Sequence, residues 1–169
     1  MKNVVLIGGV HIQDHEFFYP KYRLSEELNI KTLVATPNNE SVMTNKGSKI
    51  LSDLAIEVLR VEDFDGVVIP GGAHAIEYLR QNRKLIDFVQ DMNLAKKPIA
   101  SICQGSQILI SAKAVPGRKV SGYYSISEDI TNAGGIYLDL PVVIDANLIT
   151  TAHYKDMGPW MKEFILSLN

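Results

Sequence analysis

Four short, continuous apolar runs punctuate the chain, at residues 4–7, 32–35, 67–69 and 99–102, each rich in β-branched residues and closed by Gly, Pro or polar positions. Unbroken rather than alternating apolar character predicts strands buried on both faces, as in a parallel sheet covered by helices. Segments with helical periodicity lie between them. Phe17, Phe18, Arg23, Leu24 and Leu28 follow the first run and predict a helix ending near Asn29. Leu79, Leu85, Ile86, Val89 and Met92 follow the third run, and residues 107–112 follow the fourth. This βαβα alternation predicts an α/β fold with a doubly wound sheet. Residues 44–57 read as a small antiparallel excursion. Residues 142–151 read as a hairpin turning at Asp145-Ala146-Asn147, although Ala146 stands where glycine would turn more easily. A last helix is capped by Asp156, carries Pro159 in its first turn, and buries Trp160, Phe164, Ile165 and Leu168. At that spacing Trp160 reads as core rather than as a cofactor anchor.

Length and composition keep this picture within ordinary bounds. The 169 residues are expected to form one domain over residues 1–169, and 46% are apolar against 21% charged. Seventeen basic against nineteen acidic residues give a net charge of −2, and no basic run exceeds a pair. That balance offers no electrostatic footprint for nucleic acid or an anionic membrane. No stretch has the roughly 20 apolar residues of a membrane span, and the N-terminal segment lacks a signal-peptide pattern. A cytoplasmic location is expected. The single cysteine, Cys103, rules out an intrachain disulfide.

Cys103 follows an apolar strand and precedes a helical stretch, with Ser101 and Gly105 two positions to either side. A sharp strand-to-helix turn that lifts a nucleophile out of a sheet needs such small flanks. It would place the sulfur at a helix N-terminus, where unpaired amides favour a thiolate and could stabilise an oxyanion. A lone cysteine is more commonly a small buried hydrophobe, but this context points to a nucleophile.

The sequence resembles the ThiJ/PfpI superfamily, and within it the short PfpI-type proteins labelled intracellular peptidases. The residues that carry the resemblance include the 16–20 segment with Tyr22-Arg23-Leu24, Val68-Ile69-Pro70-Gly71-Gly72, and residues 98–112. It continues through Gly117-Arg118-Lys119, Tyr123, Asp129, Asn132-Ala133-Gly134 and the hairpin to Thr151. The resemblance implies a flavodoxin-like, class I glutamine amidotransferase-like fold, a homo-dimer or larger homo-oligomer, and an oxidation-prone cysteine in the elbow. Three places depart from the pattern, one being the Arg-containing loop after the last strand, which reads Ala152-His153-Tyr154 here. The histidine that follows the cysteine in PfpI-type proteins is Gln104 here, and the glutamate that shares a proton with the thiol aligns with Gln13. Residues 102–109 also resemble the elbow of class I glutamine amidotransferases, but the required His-x-Glu pair is replaced by His153-Tyr154-Lys155-Asp156.

Ligands of open α/β sheets bind beyond the carboxyl ends of the strands. His11, His15, His74 and His153 all follow such ends, so with Cys103 they are expected to crowd one edge of the sheet. His153 and His74 are the candidates for the missing base, His74 by reaching a neighbouring subunit's cysteine. Gln13 is expected to orient the sulfur, with the amides of Gln104 and Gly105 near the oxyanion. His11 and His15 are four residues apart, as some zinc ligands are, but neither a metal nor a cofactor is expected. The Gly8-Gly9 and Gly71-Gly72 pairs lack phosphate-loop spacing and read as tight turns. Two functions follow. One is a cysteine-dependent hydrolase or glyoxalase acting on small carbonyl compounds or peptides. The other is a non-catalytic or redox-responsive stress protein that uses oxidation of Cys103.

Overall fold

The computed structural model describes residues 1–169. In its first half the strands are β1 (Lys2–Ile7), β2 (Ile30–Thr36), β3 (Val42–Met43), β4 (Lys49–Ile50), β5 (Leu54–Ala55) and β6 (Gly66–Ile69). The second half adds β7 (Ile99–Ile102), β8 (Lys119–Val120), β9 (Ile136–Tyr137), β10 (Val143–Asp145) and β11 (Leu148–Thr151). The helices are α1 (Asp14–Ser25), α2 (Ala73–Leu79), α3 (Arg83–Leu94), α4 (Ser106–Ser111), α5 (Ser127–Asn132) and α6 (Met157–Ser167).

Seven strands form one sheet in the order β10-β11-β7-β6-β1-β2-β5, and only the β10–β11 pair is antiparallel. The apolar runs supply its centre: Val4, Val5, Val67, Val68, Ile99 and Ala100 are wholly inaccessible. The chain leaves β1 toward β2 but leaves β6 toward β7 in the opposite direction. Right-handed crossovers therefore put α1 on one face and α3 on the other. Helix α6 packs with α1, while α2 and α3 pack with α4. Doubling of the winding direction places the topological switch between β1 and β6.

Several local expectations shift. Helix α1 stops at Ser25, and Leu28 is almost fully exposed rather than part of a buried stripe. Residues 44–57 are antiparallel only in part: β4 pairs with β3, which immediately precedes the segment, whereas β5 joins the main sheet parallel to β2. β5 matches β2 over only two residue pairs, and much of β2 stays partly accessible. At the hairpin, Ala146 adopts φ 51°, the left-handed conformation that disfavours a Cβ. Trp160 is fully buried and its indole N–H donates to the Ile149 carbonyl at 2.9 Å, binding α6 to β11. Replacing Trp160 by Phe is expected to lower unfolding free energy by about 1–3 kcal/mol, read from urea denaturation, because it orphans that carbonyl and shrinks the core.

Candidate active site

The β7–α4 junction turns on Cys103 itself, which holds φ 60°. A non-glycine residue in this region stores strain that its surroundings must enforce. They do so from several directions. The Tyr123 amide donates to the Cys103 carbonyl at 3.1 Å. Beneath the turn, Ser101 and Ser106 share a hydrogen bond of 2.8 Å, and Ser106 donates to the Ser121 carbonyl at 2.7 Å. Gly105 has a steric role: a Cβ there would lie 2.6 Å from the Ile69 carbonyl oxygen and 2.9 Å from that of Pro70. Only glycine lets the elbow settle onto the end of β6.

The amides of Gln104 and Gly72 face the sulfur. Gly72 has φ 110°, and a Cβ there would press on the Gln13 nitrogen and the His11 carbonyl. The Cys103 thiol donates to Gln104 Oε1 at 2.7 Å.

The carboxyl at the sulfur comes from Glu16, where the resemblance had pointed to Gln13. Glu16 is 2% exposed, accepts a 2.8 Å hydrogen bond from the Gly71 amide, and sits beside Cys103 around Gly71, in the wall of the same cavity. Gln13 lies one turn earlier, at the N-cap of α1, and its Oε1 accepts from Asn45 at 3.3 Å. It lines the cavity without addressing the sulfur. The clue in the sequence was periodicity. Glu16, Pro20 and Leu24 are four apart and all buried, so a carboxyl sits on the inward stripe of α1. Pro20 also removes the amide that would have bonded the Glu16 carbonyl one turn down.

Burial pushes the Glu16 carboxyl up to about 7, against the opposing Gly71 amide and Cys103. Burial, and then the negative charge of Glu16, push the Cys103 thiol well above its ordinary value, against the amides of Gln104 and Gly72. Both groups are thus held toward their protonated, neutral forms.

Above the sulfur lies a cavity of about 250 Å³, walled by Gln13, Gln104, Tyr123, His153 and Tyr154. The four histidines divide into two groups. His153 and His15 flank Tyr154, with ring centroids 4.0 and 4.8 Å from it, on the cysteine side. His15 Nδ1 is buried without a partner. His153 Nδ1 accepts from the Lys155 amide at 3.3 Å, so a neutral ring carries its proton on Nε2. His11 and His74 face each other at 4.6 Å in a separate cleft, apart from the Cys103 cavity. No group of three or more His, Cys, Asp or Glu is placed to hold a metal ion. Tyr123 and Tyr154 stood in the sequence only within motifs, and their place as aromatic walls of this cavity depends on the folding of segments that carry no spacing signature.

A strained cysteine on a strand–helix elbow of a doubly wound sheet, paired with a buried carboxyl from the first helix, defines a recognisable class of α/β proteins. Residues 1–167 match the DJ-1/PfpI family model, and the chain belongs to that family. The deglycase PfpI of Pyrococcus furiosus is 35% identical over 162 residues, covering 96% of each chain. An uncharacterized protein of Archaeoglobus fulgidus is 40% identical over 96% of this chain and 95% of its own. Among solved structures, a two-domain protein of Anabaena variabilis containing DJ-1/ThiJ/PfpI-like and ferritin-like domains superposes with a TM-score of 0.95 at 30% identity. That match spans 99% of this chain and 48% of the Anabaena protein. DJ-1 of Schizosaccharomyces pombe shares the fold at a TM-score of 0.87 and 20% identity, over 99% of this chain and 92% of its own. No helix is long and apolar enough to cross a membrane.

Proposed function

We propose that this protein is a cysteine-dependent deglycase- or glyoxalase-type hydrolase acting on small carbonyl compounds and their adducts. The carrying observation is that Glu16 and Cys103 flank Gly71 side by side beneath an open cavity. Relatives named as deglycases, from Pyrococcus furiosus and Escherichia coli, support the same chemistry. In the reactive state the thiol proton passes to Glu16, leaving thiolate beside a neutral carboxylic acid. The sulfur lone pair then attacks the carbonyl carbon, and the C=O π electrons move onto oxygen to give a thiohemiacetal oxyanion. The amides of Gln104 and Gly72 favour negative charge at this place. His153, with its proton on Nε2, is the candidate to donate a hydrogen bond to the oxyanion, and the neutral Glu16 carboxylic acid holds the proton that returns to that oxygen. Gln104 cannot exchange protons, but it can offer its oxygen to the thiol or its NH₂ to the thiolate.

The cavity is smaller than the roughly 300–1,000 Å³ of drug-sized ligand sites, which favours a short carbonyl compound over a long peptide. A second reading keeps Cys103 as a redox-responsive thiol without turnover. The thiol's bond to Gln104, rather than to an imidazole, favours it, as does the relative named general stress protein 18 in Bacillus subtilis. Methylglyoxal consumption by wild type, Cys103→Ser and His153→Ala separates the two. The enzyme predicts loss of turnover by at least about 100-fold in Cys103→Ser and about 10-fold or more in His153→Ala. Equal residual rates in all three leave the redox reading.

A further inference from the structure

A second cleft, of about 420 Å³, opens at the same edge of the sheet. Val10 and His11 reach it from the loop after β1, Pro37 from the end of β2, and His74, Tyr78 and Leu79 from α2. It therefore lies over the β1/β6 topological switch, the position where open α/β sheets generally form their ligand crevice. Cys103 stands one strand further along. The volume falls within the range of ligand sites, and none of the lining residues is an acid, lysine or arginine.

The walls narrow the ligand. His74 stacks on Tyr78 with centroids 5.1 Å apart and planes within 27°, and His11 faces His74 across 4.6 Å. All three side chains are exposed, and neither imidazole hydrogen-bonds within the chain. Stacked rings with free donor and acceptor edges suit a flat heterocycle. The amides of His11, Ile12 and Gln13 are committed to backbone partners, and no lysine or arginine lines the cleft to hold a phosphate. His11 N–H donates to Met43 O, Ile12 N–H to Gly9 O, and Gln13 N–H to Gly71 O. The first turn of α1 then adds Asp14 and Glu16. His11 is held at φ 60°, so the loop is strained into this arrangement.

We propose that the cleft between His11, His74 and Tyr78 is a second binding site, for an uncharged planar heteroaromatic compound, and that its occupancy is felt at Cys103. The coupling route is short. The strands β1 and β6 send out two interlocked loops, joined by the Gln13–Gly71 hydrogen bond and by Gly72 packed on the 11–13 backbone. One side of this layer carries His11 and His74. The other carries the Gly72 amide that faces the sulfur.

The test titrates the whole protein with adenine and with benzimidazole, using benzoate as a flat but charged control. Histidine ring NMR signals report binding, and iodoacetamide alkylation reports Cys103. The site predicts saturable shifts of His11 and His74 but not His15 or His153, with a dissociation constant of about 1 mM or tighter for at least one neutral probe. Tyr78→Ala, which removes the stacking ring, and Val10→Trp, which fills the cleft, should each weaken binding about tenfold. Melting curves confirm that both variants are folded. The alkylation rate of wild type should change about twofold or more at saturation. Absence of saturation, shifts centred on His153, or affinity unchanged in both folded variants would overturn the site. Equal binding of benzoate would overturn the uncharged class, and an unchanged alkylation rate at saturation would overturn the coupling.

Discussion

Replacing Glu16 by Gln is expected to make the protein more stable at pH 8, by about 3 kcal/mol, and to leave little of that gain at pH 4.5. Burial raises the Glu16 carboxyl from 4.5 to about 7. Between those values the folded state holds a proton that the unfolded chain has released, so stability falls as pH rises through the interval. Each pKa unit corresponds to about 1.4 kcal/mol, so a displacement of this size costs roughly 3 kcal/mol above pH 7. Glutamine keeps the shape and an acceptor for the Gly71 amide without ever carrying charge. Urea unfolding of both proteins at pH 4.5, 6 and 8 checks the sign directly. A wild type that gains stability over this interval would contradict a raised carboxyl. The wild-type sequence therefore retains a destabilising group in its core, which is the pattern expected where function and stability conflict.

Gly71→Ala is the second large effect. A Cβ at this position would lie 2.6 Å from Glu16 Oε2, 2.7 Å from Cys103 Cβ and 2.9 Å from the Ile102 carbonyl oxygen. Two of these neighbours are the reacting pair, and the third is backbone at the end of β7. Cys103 and the Ile102 carbonyl cannot yield without moving the elbow, because Cys103 is itself pinned at φ 60°, which leaves the Glu16 side chain as the group that must give way. Overpacking of this kind costs about 1–3 kcal/mol or more. Relief by expelling Glu16 would open the contact on which the thiolate depends. The expected result is a melting temperature lower by several degrees, about 4 °C or more for a chain of this size, together with loss of Cys103 reactivity at neutral pH. A folded Gly71→Ala protein with wild-type alkylation kinetics would show that Glu16 does not act on the sulfur.

The doubly wound α/β architecture was legible because its central strands are buried on both sides and leave continuous apolar runs. The elbow was legible because Ser101, Cys103 and Gly105 have a spacing that only a sharp turn demands. Glu16 was harder. Its partner lies 87 positions away in the chain, and its significance rests on which face of α1 turns inward. Family alignment to Gln13 erred by one helical turn, so the neighbouring polar residue took the role. The histidines carried no information about side. His11 and His74 share an edge of the sheet with Cys103, yet the interlocked 11–13 and 71–74 loops divide that edge into two cavities. Such a partition depends on backbone packing around Gly72 at φ 110°, and no linear spacing encodes it.

The most direct test of the shared proton is the pH dependence of Cys103 alkylation in wild type and in Glu16→Gln. When Glu16 and Cys103 hold one proton between them, the neutral-acid/thiolate form and the carboxylate/thiol form carry the same net charge. Once the pair has lost its first proton near pH 7, the reactive fraction no longer depends on pH. The rate should therefore rise through about pH 7 and then level off. In Glu16→Gln the buried thiol titrates alone, so the neutral-pH plateau should vanish and the rate should climb only at higher pH. A wild-type rate that instead rises through about 8.5, the value of an unperturbed thiol, and is unchanged by Glu16→Gln would contradict the account.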